Sequence, residues 1–304
     1  MSDIRIGISG WRYVPWRGDF YPEGLVQAKE LRFASRAVNS IEINGSFYSL
    51  KSPELYARWQ ADTPDDFVFS VKAPRYITHV RRLNDIEKPL ANFFASGVFQ
   101  LRNKLGPILW QFPPTFKFDA ERVERFLSLL PTSGAEARAC ARNCDERMRK
   151  PGYLDIPARG RLRHAMEIRH ASFRVPAFVK LLRKYKVALV FADTAGKWPY
   201  VEDLTSDFVY LRLHGDEELY ASGYTDKALA HWGDRIEAWR HGGQPDDARL
   251  IDKPGRKRAA RDVYCYFDND IKVRAPYDAR HLLERFHLDE NLPVSPGDAR
   301  GVAL

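Results

Sequence analysis

The feature that most constrains this chain is a series of eight short strand-like runs, each closing on polar or charged residues. The first is Gly7-Ile-Ser-Gly-Trp11. It is followed by Ile41-Glu-Ile-Asn44, Phe69-Ser-Val-Lys72, Ile108-Leu-Trp-Gln111, Met166-Glu-Ile-Arg169, Leu189-Val-Phe-Ala-Asp193, Tyr210-Leu-Arg-Leu-His214 and Tyr264-Cys-Tyr-Phe-Asp-Asn269. Apolar residues at helical spacing stand between most of them. Strands alternating with helices specify βαβ units and a parallel sheet. Eight such units close into a barrel of roughly 250 residues, and the chain has 304. The expected fold is therefore a (β/α)8 TIM-type barrel, mostly parallel. Residues 1–288 form a single domain in this reading. The segment 289–304, rich in Pro, Gly and Asp, is expected to be a flexible tail.

The helical stretches carry start and stop signals. Ser52-Pro53 supplies a cap and a first-turn proline ahead of Leu55 and Trp59. Leu90, Phe93, Phe94, Val98, Leu101 and Leu105 keep helical spacing, and Gly106 is the expected stop. Asp119 can cap a helix bearing Val123, Phe126 and Leu127. Leu229, Trp232, Ile236 and Trp239 form a stripe ended by Gly242-Gly243. Such stripes pack against the sheet. The link from strand six (187–193) to strand seven (207–213) is short, with no convincing helix.

An apolar fraction of 44% suits a soluble globular protein. No apolar run approaches the ~18 residues of a membrane span, and the N-terminus enters a strand without room for a signal peptide. Cys140, Cys144 and Cys265 do not make a disulfide framework and point to a reducing, cytoplasmic setting. Oligomeric state is left open. The net charge of +8 is concentrated. Residues 134–163 hold eight Arg/Lys against four acids, and residues 249–261 hold six against one, so the remainder is near neutral. These basic inserts either attract phosphate backbones or are solvated loops. Each follows a helix and precedes a strand, which puts it on the face opposite the catalytic mouth of a barrel.

Strand side chains alternate between faces. With Ile41, Ile43, Val71, Met166, Ile168, Val209, Leu211 and Leu213 against the helices, Glu42, Asn44, Ser70, Lys72, Glu167, Arg169, Tyr210, Arg212 and His214 face inward. Ser9, Gln111 and Asp193 are expected on the same wall. In the last strand either Asp268 or Asn269 faces in, not both. Barrel interiors are ordinarily layered with Val, Ile and Leu, whereas this upper layer reads as acids, bases and amides. Glu42, Glu167 and Asp193 balance Lys72, Arg169 and Arg212 in formal charge. Either the set is a buried ion network that fixes the fold, or it is a pocket for an anionic ligand. In the second reading Arg169 and Arg212 grip a phosphate or carboxylate. Glu42 or Glu167 serves as acid or base, Lys72 stabilises negative charge or acts as a nucleophile, and His214 moves protons.

Trp11, Tyr13, Trp16, Phe47, Tyr48, Tyr220 and Tyr224 fall in loops after strands, where they either pack or stack on a ligand. His79 and His170 lie in such loops too. The candidate site is thus Glu42, Lys72, Glu167 and His214 for chemistry. Ser9, Trp11, Asn44, Tyr48, His79, Gln111, Arg169, His170, Asp193, Arg212 and Asn269 are the candidates for binding. No cofactor is expected. His214 and the carboxylates are suitable ligand types for a divalent metal, but three cations share the volume and no HxH or HExxH spacing occurs.

The ordered motifs Gly7–Trp11, Glu42-Ile-Asn-Gly-Ser-Phe-Tyr48, Phe69–Ala73 with Ile77-Thr-His79, Leu109-Trp-Gln-Phe-Pro-Pro114, Glu167-Ile-Arg-His170, Tyr210–Gly215 and Tyr266–Asp270 resemble the YecE-like domain-of-unknown-function family. The resemblance runs from about residue 4 to 286. It implies a TIM-type barrel and leaves the activity unassigned. Some members have been likened to the barrel of apurinic-site endonucleases, which implies DNA binding by fold analogy alone. Gly45 replaces a usual Ser, Asp278 replaces a usual Asn, and the basic inserts exceed the family core. Three functions are therefore carried forward. The first is an acid/base enzyme (hydrolase, lyase or isomerase) acting on a small anionic ligand at the mouth. The second is a non-catalytic nucleic-acid-binding protein. The third is a metal-dependent hydrolase or isomerase of endonuclease or xylose-isomerase type.

Overall fold

The computed structural model describes residues 2–148, 155–157 and 160–298. Strands β1 (Ile4–Ser9), β2 (Ser40–Ile43), β3 (Val68–Lys72), β4 (Leu105–Gln111), β5 (His164–Glu167), β6 (Ala188–Asp193), β7 (Phe208–Leu213) and β8 (Asp262–Phe267) close into a ring in sequence order. Every neighbouring pair is parallel, including β8 with β1. Around it lie α1 (Glu30–Ala37), α2 (Gly45–Tyr48), α3 (Pro53–Asp62), α4 (Glu87–Ala95), α5 (Ala120–Leu129), α6 (Gly134–Ala141), α7 (Pro176–Tyr185), α8 (Asp226–Arg240) and α9 (Ala275–Arg285). This is the (β/α)8 barrel that the alternation predicts. No described helix is long and apolar enough to cross a membrane.

Local chemistry sets the helix starts. Ser52 Oγ accepts from the Leu55 amide and Pro53 opens α3. Asp119 Oδ1 accepts from the Arg122 amide at 2.9 Å and opens α5. The β6–β7 connection holds no helix, as expected. Thr205 secures it instead, its Oγ1 accepting from Leu189 N at 2.8 Å and donating to Val187 O at 2.7 Å.

The core has two layers. Ile6, Ile8, Ile41, Val71, Trp110 and Leu211 pack outward against the helices. Leu109, Ala165, Val190, Tyr210 and Tyr266 fill the inside of the ring. Tyr266 Oη bonds Ser40 Oγ and Ser70 Oγ at 2.8 and 2.7 Å, so the waist of the barrel is polar but satisfied.

Two expectations are corrected. The apolar run 90–105 is not one helix ended by Gly106. α4 stops at Ala95, Gly97 turns with φ +91°, a 3-10 segment spans Val98–Lys104, and Gly106 lies inside β4. A Cβ on Gly97 would stand 2.5 Å from Pro53 Cα, so this turn abuts the start of α3. Residues 289–298, expected as a loose tail, run against the body. Val294 is buried, its amide donates to Arg36 O, and the Gly297 amide donates to Phe20 O at 2.8 Å. Residues 299–304 lie outside the described residues.

The basic inserts sit between α5 and β5 and between α8 and β8. Arg161 and Arg258, one from each, line a cleft with Lys186 near the strand starts. None of Arg256, Lys257 and Arg258 lines the mouth cavity. Arg149, Lys150 and Arg159 lie outside the described residues.

Candidate active site at the barrel mouth

Strand parity brings a buried ion network to the axis. Arg212 (β7) lies among three carboxylates. Its Nη1 is 2.7 Å from Glu167 Oε2 on β5; its Nη2 is 3.0 Å from Glu42 Oε1 on β2 and 2.7 Å from Asp268 Oδ2, one residue past β8. Ser9 Oγ and Tyr210 Oη donate to the two oxygens of Glu42 at 2.8 and 2.6 Å. Arg169 Nε donates to Glu167 Oε1 at 2.7 Å. His214 Nδ1 is 3.0 Å from Asp268 Oδ2 but out of line for a hydrogen bond. Burial opposes ionisation of Glu167, yet the Arg169 and Arg212 guanidiniums outweigh it and hold the carboxyl well below its usual range. Burial is likewise outweighed at Asp268, chiefly by Arg212. Burial, then Arg212, lowers the pKa of His214, so it is neutral near pH 7.

Above this floor opens a cavity of about 690 Å³. Lys72, at the end of β3, reaches into it with Nζ 4.4 Å from the centre of the Phe47 ring. Among the described residues, no side chain or carbonyl pairs with that ammonium by hydrogen bond or salt bridge. Burial, then Arg212, lowers its pKa to about 8. Gln111 Oε1 and Asn44 Oδ1 are also buried without partners, and both residues line the cavity. The Arg169 guanidinium lies 3.7 Å from the Trp198 ring centre and borders the same space.

His79 sits on a single π-helical turn, Tyr76–Val80, of a kind that recurs at functional sites. Burial, then Lys72 and Arg169, lowers its pKa to about 4, so near neutrality it is an uncharged imidazole with one N–H to donate and one nitrogen to accept. Burial, then Asp268, raises Asp270 to about 6. The cavity is lopsided: most of its wall comes from the loops after β8, β1, β2 and β3.

The structure distributes the expected residues unevenly. Ser9, Glu42, Glu167, Arg212 and His214 make the floor. Trp11, Asn44, Tyr48, Lys72, His79, Gln111 and Arg169 line the cavity. Trp11 does so while packed edge-on to Trp59 at 5.2 Å. Three residues fall elsewhere. Asp193 does not reach the inner wall: Val190 and Ala192 take the inward positions of β6, and Asp193 turns out to accept from Tyr224 Oη at 3.0 Å. Asn269 points away for the same reason, because Tyr264 and Tyr266 set the inward parity of β8. Its Nδ2 donates to Asp278 Oδ2 at 2.7 Å, while Asp268 faces in. His170 accepts the Ser172 amide at 3.1 Å and caps a short turn outside the cavity wall. With Asp268 in place of Asp193, the formal charge of the inward set is still zero. Trp198, Asp270, Arg12 and Lys51 were missed, since they lie in loops where strand alternation gives no direction.

Glu42, Glu167 and Asp268 have the ligand types for a divalent ion, but Arg212 fills the space between them. Among the described residues, no group of three or more His, Cys, Asp or Glu side chains is placed to hold a metal.

A closed parallel barrel with a polar, ionisable mouth defines this chain as a TIM-type barrel protein. It belongs to the family described as protein of unknown function DUF72, which matches residues 5–300. It is 31% identical over 129 residues to the UPF0759 protein YecE of Escherichia coli K12, covering 42% of this chain and 44% of that protein. It is 30% identical over 128 residues to the UPF0759 protein YunF of Bacillus subtilis 168, covering 40% and 43%. The chain thus aligns with less than half the length of these curated relatives. A DUF72 family crystal structure from Thermotoga maritima MSB8 matches 94% of this chain and 99% of its own, with TM-score 0.70 and 22% identity. Another from Enterococcus faecalis V583 matches 95% and 99%, with TM-score 0.64 and 17% identity. These likenesses support the fold.

Proposed function

We propose that the mouth binds a small phosphate- or carboxylate-bearing ligand and performs acid/base chemistry on it. One observation carries this reading. The three carboxylates of the floor are each paired with Arg212, whereas Lys72 Nζ, Gln111 Oε1 and Asn44 Oδ1 face the cavity above them without a hydrogen bond or ion pair among the described residues. Buried polar groups are ordinarily bonded, so this upper tier is fitted to something that enters. Arg169 offers a flat, stacked guanidinium to an anion. Asp270, with its pKa near 6, can give or take a proton close to neutral pH. Thermal shift against a library of phosphate- and carboxylate-bearing metabolites tests the reading. A hit should bind at least about tenfold more weakly to Arg169→Gln, the loss of about one charge-assisted hydrogen bond. A flat response across the library, or a hit indifferent to Arg169→Gln, counts against it.

A second reading, nucleic-acid binding, draws on the rim. Tyr48, 71% exposed, lines the cavity with Arg12 and Lys51, and Tyr76, 51% exposed, opens the turn that carries His79. Exposed aromatics beside cations suit stacked single-stranded bases. Arg161 and Arg258 of the basic inserts lie near the strand starts, on the opposite face from this rim.

A further inference from the structure

We infer that Lys72 forms an imine with the carbonyl carbon of an anionic aldehyde or ketone. This rests on the anion-binding reading above and narrows its substrate class to carbonyl compounds. The geometry supports a covalent role for three reasons. First, Lys72 leaves the inner wall at a strand end, so its stem is held by the barrel and its amine opens into the cavity. Second, no carboxylate lies within ion-pair distance of that amine among the described residues, although three carboxylates lie in the floor below. A lysine kept only for charge would pair with one of them. Lys51, the other lysine of the cavity, shows the contrast: it sits at the rim and donates to Ser49 Oγ at 2.8 Å. Third, the Phe47 ring beneath Nζ stabilises a cationic iminium as well as an ammonium.

The chemistry balances without a redox partner. The neutral amine adds its lone pair to the carbonyl carbon and a C–N bond forms. The carbonyl oxygen leaves as water, carrying the two amine protons, and both C–O bonds are lost. Asp270 borders the cavity and can supply the further proton that converts imine to iminium. Arg169 is placed for the substrate's anionic group. The lowered pKa of Lys72 adds support, because more of the amine is free at pH 7 than in an exposed lysine.

The test uses two matched pairs of probes: pyruvate with lactate, and dihydroxyacetone phosphate with glycerol 3-phosphate. The intact protein is incubated with each carbonyl probe and sodium cyanoborohydride at pH 7, which delivers hydride to an iminium and fixes it as a secondary amine. Peptide mapping then locates the adduct on the native chain, so no variant has to fold. The expected result is labelling of Lys72 at least about tenfold above any other lysine, because its amine is far more often unprotonated at pH 7 than an exposed one. That adduct should be lost in Lys72→Met. Binding of lactate or glycerol 3-phosphate is measured in parallel by calorimetry. If these bind while label spreads evenly over surface lysines, the imine is overturned and the anion site stands. If no probe binds and none is trapped at Lys72, both fall.

Discussion

The Lys72 ammonium hangs between an aromatic ring and a floor of carboxylates that it does not touch, and this placement has a measurable pH signature. Its folded pKa is about 8, lowered first by burial and then by Arg212, against 10.5 for the free side chain. Between those values the unfolded chain holds a proton that the folded chain has released, so stability rises with pH in that window. The penalty is fully present below about pH 8. Relative to Lys72→Met, the parent should gain about 3 kcal/mol between pH 7 and 10.5, since every tenfold weakening of proton affinity on folding costs about 1.4 kcal/mol. Urea denaturation of both proteins across that range checks it; parallel stability curves would remove the desolvated amine. The floor residues around Lys72 were legible in the sequence because aliphatic neighbours fix their direction: Ile41 and Ile43 leave Glu42 no other face, and Leu211 and Leu213 do the same for Arg212. Asp193 and Asn269 were misread because their strands place small or aromatic residues inside. Ala192 and Tyr266 do not look inward by hydrophobicity alone.

At the scale of elements, caps and stripes were readable and close contacts between elements were not. Ser52 and Asp119 announce α3 and α5 through local hydrogen bonds. The break in the apolar run through Leu101 has a local signal, Gly97 just past the end of α4, which the helical spacing of its neighbours obscured; the contact of that turn with Pro53 lies across the molecule and has none. Gly97 combines φ +91° with that contact. Gly97→Ala should therefore destabilise the protein by about 3 kcal/mol, through left-handed strain and steric overlap together. A Tm unchanged within a degree would mean that the α4 exit can shift away from α3. Gly7 has a comparable role on the ring itself: a Cβ there would lie 1.7 Å from Ser40 O, so β1 and β2 meet only because that position is bare.

Across the whole molecule, the two ends of the barrel differ in kind. The strand ends carry the Arg212-paired carboxylates and the open cavity; the strand starts carry Arg161 and Arg258 of the basic inserts, around a cleft shared with Lys186. Replacing Arg256, Lys257 and Arg258 by Gln should leave small-anion binding at the mouth unchanged within about twofold. For any polyanion the protein binds through this face, the same change should flatten the salt dependence by up to about three phosphate contacts. Titrations at several salt concentrations separate the outcomes, and a weakened mouth ligand would show that the two faces communicate. The overall alternation, the closure and the sidedness of the inserts were all visible in the order of the strand-like runs. The lopsided opening was not, because it depends on loop paths rather than on strand parity.

That off-centre opening has a stereochemical outcome. On the imine proposal, a flat carbonyl arriving from the side of β1 to β3, with its anionic group drawn to Arg169, would present a single face to the amine of Lys72. Any new tetrahedral carbon made there would then carry one handedness.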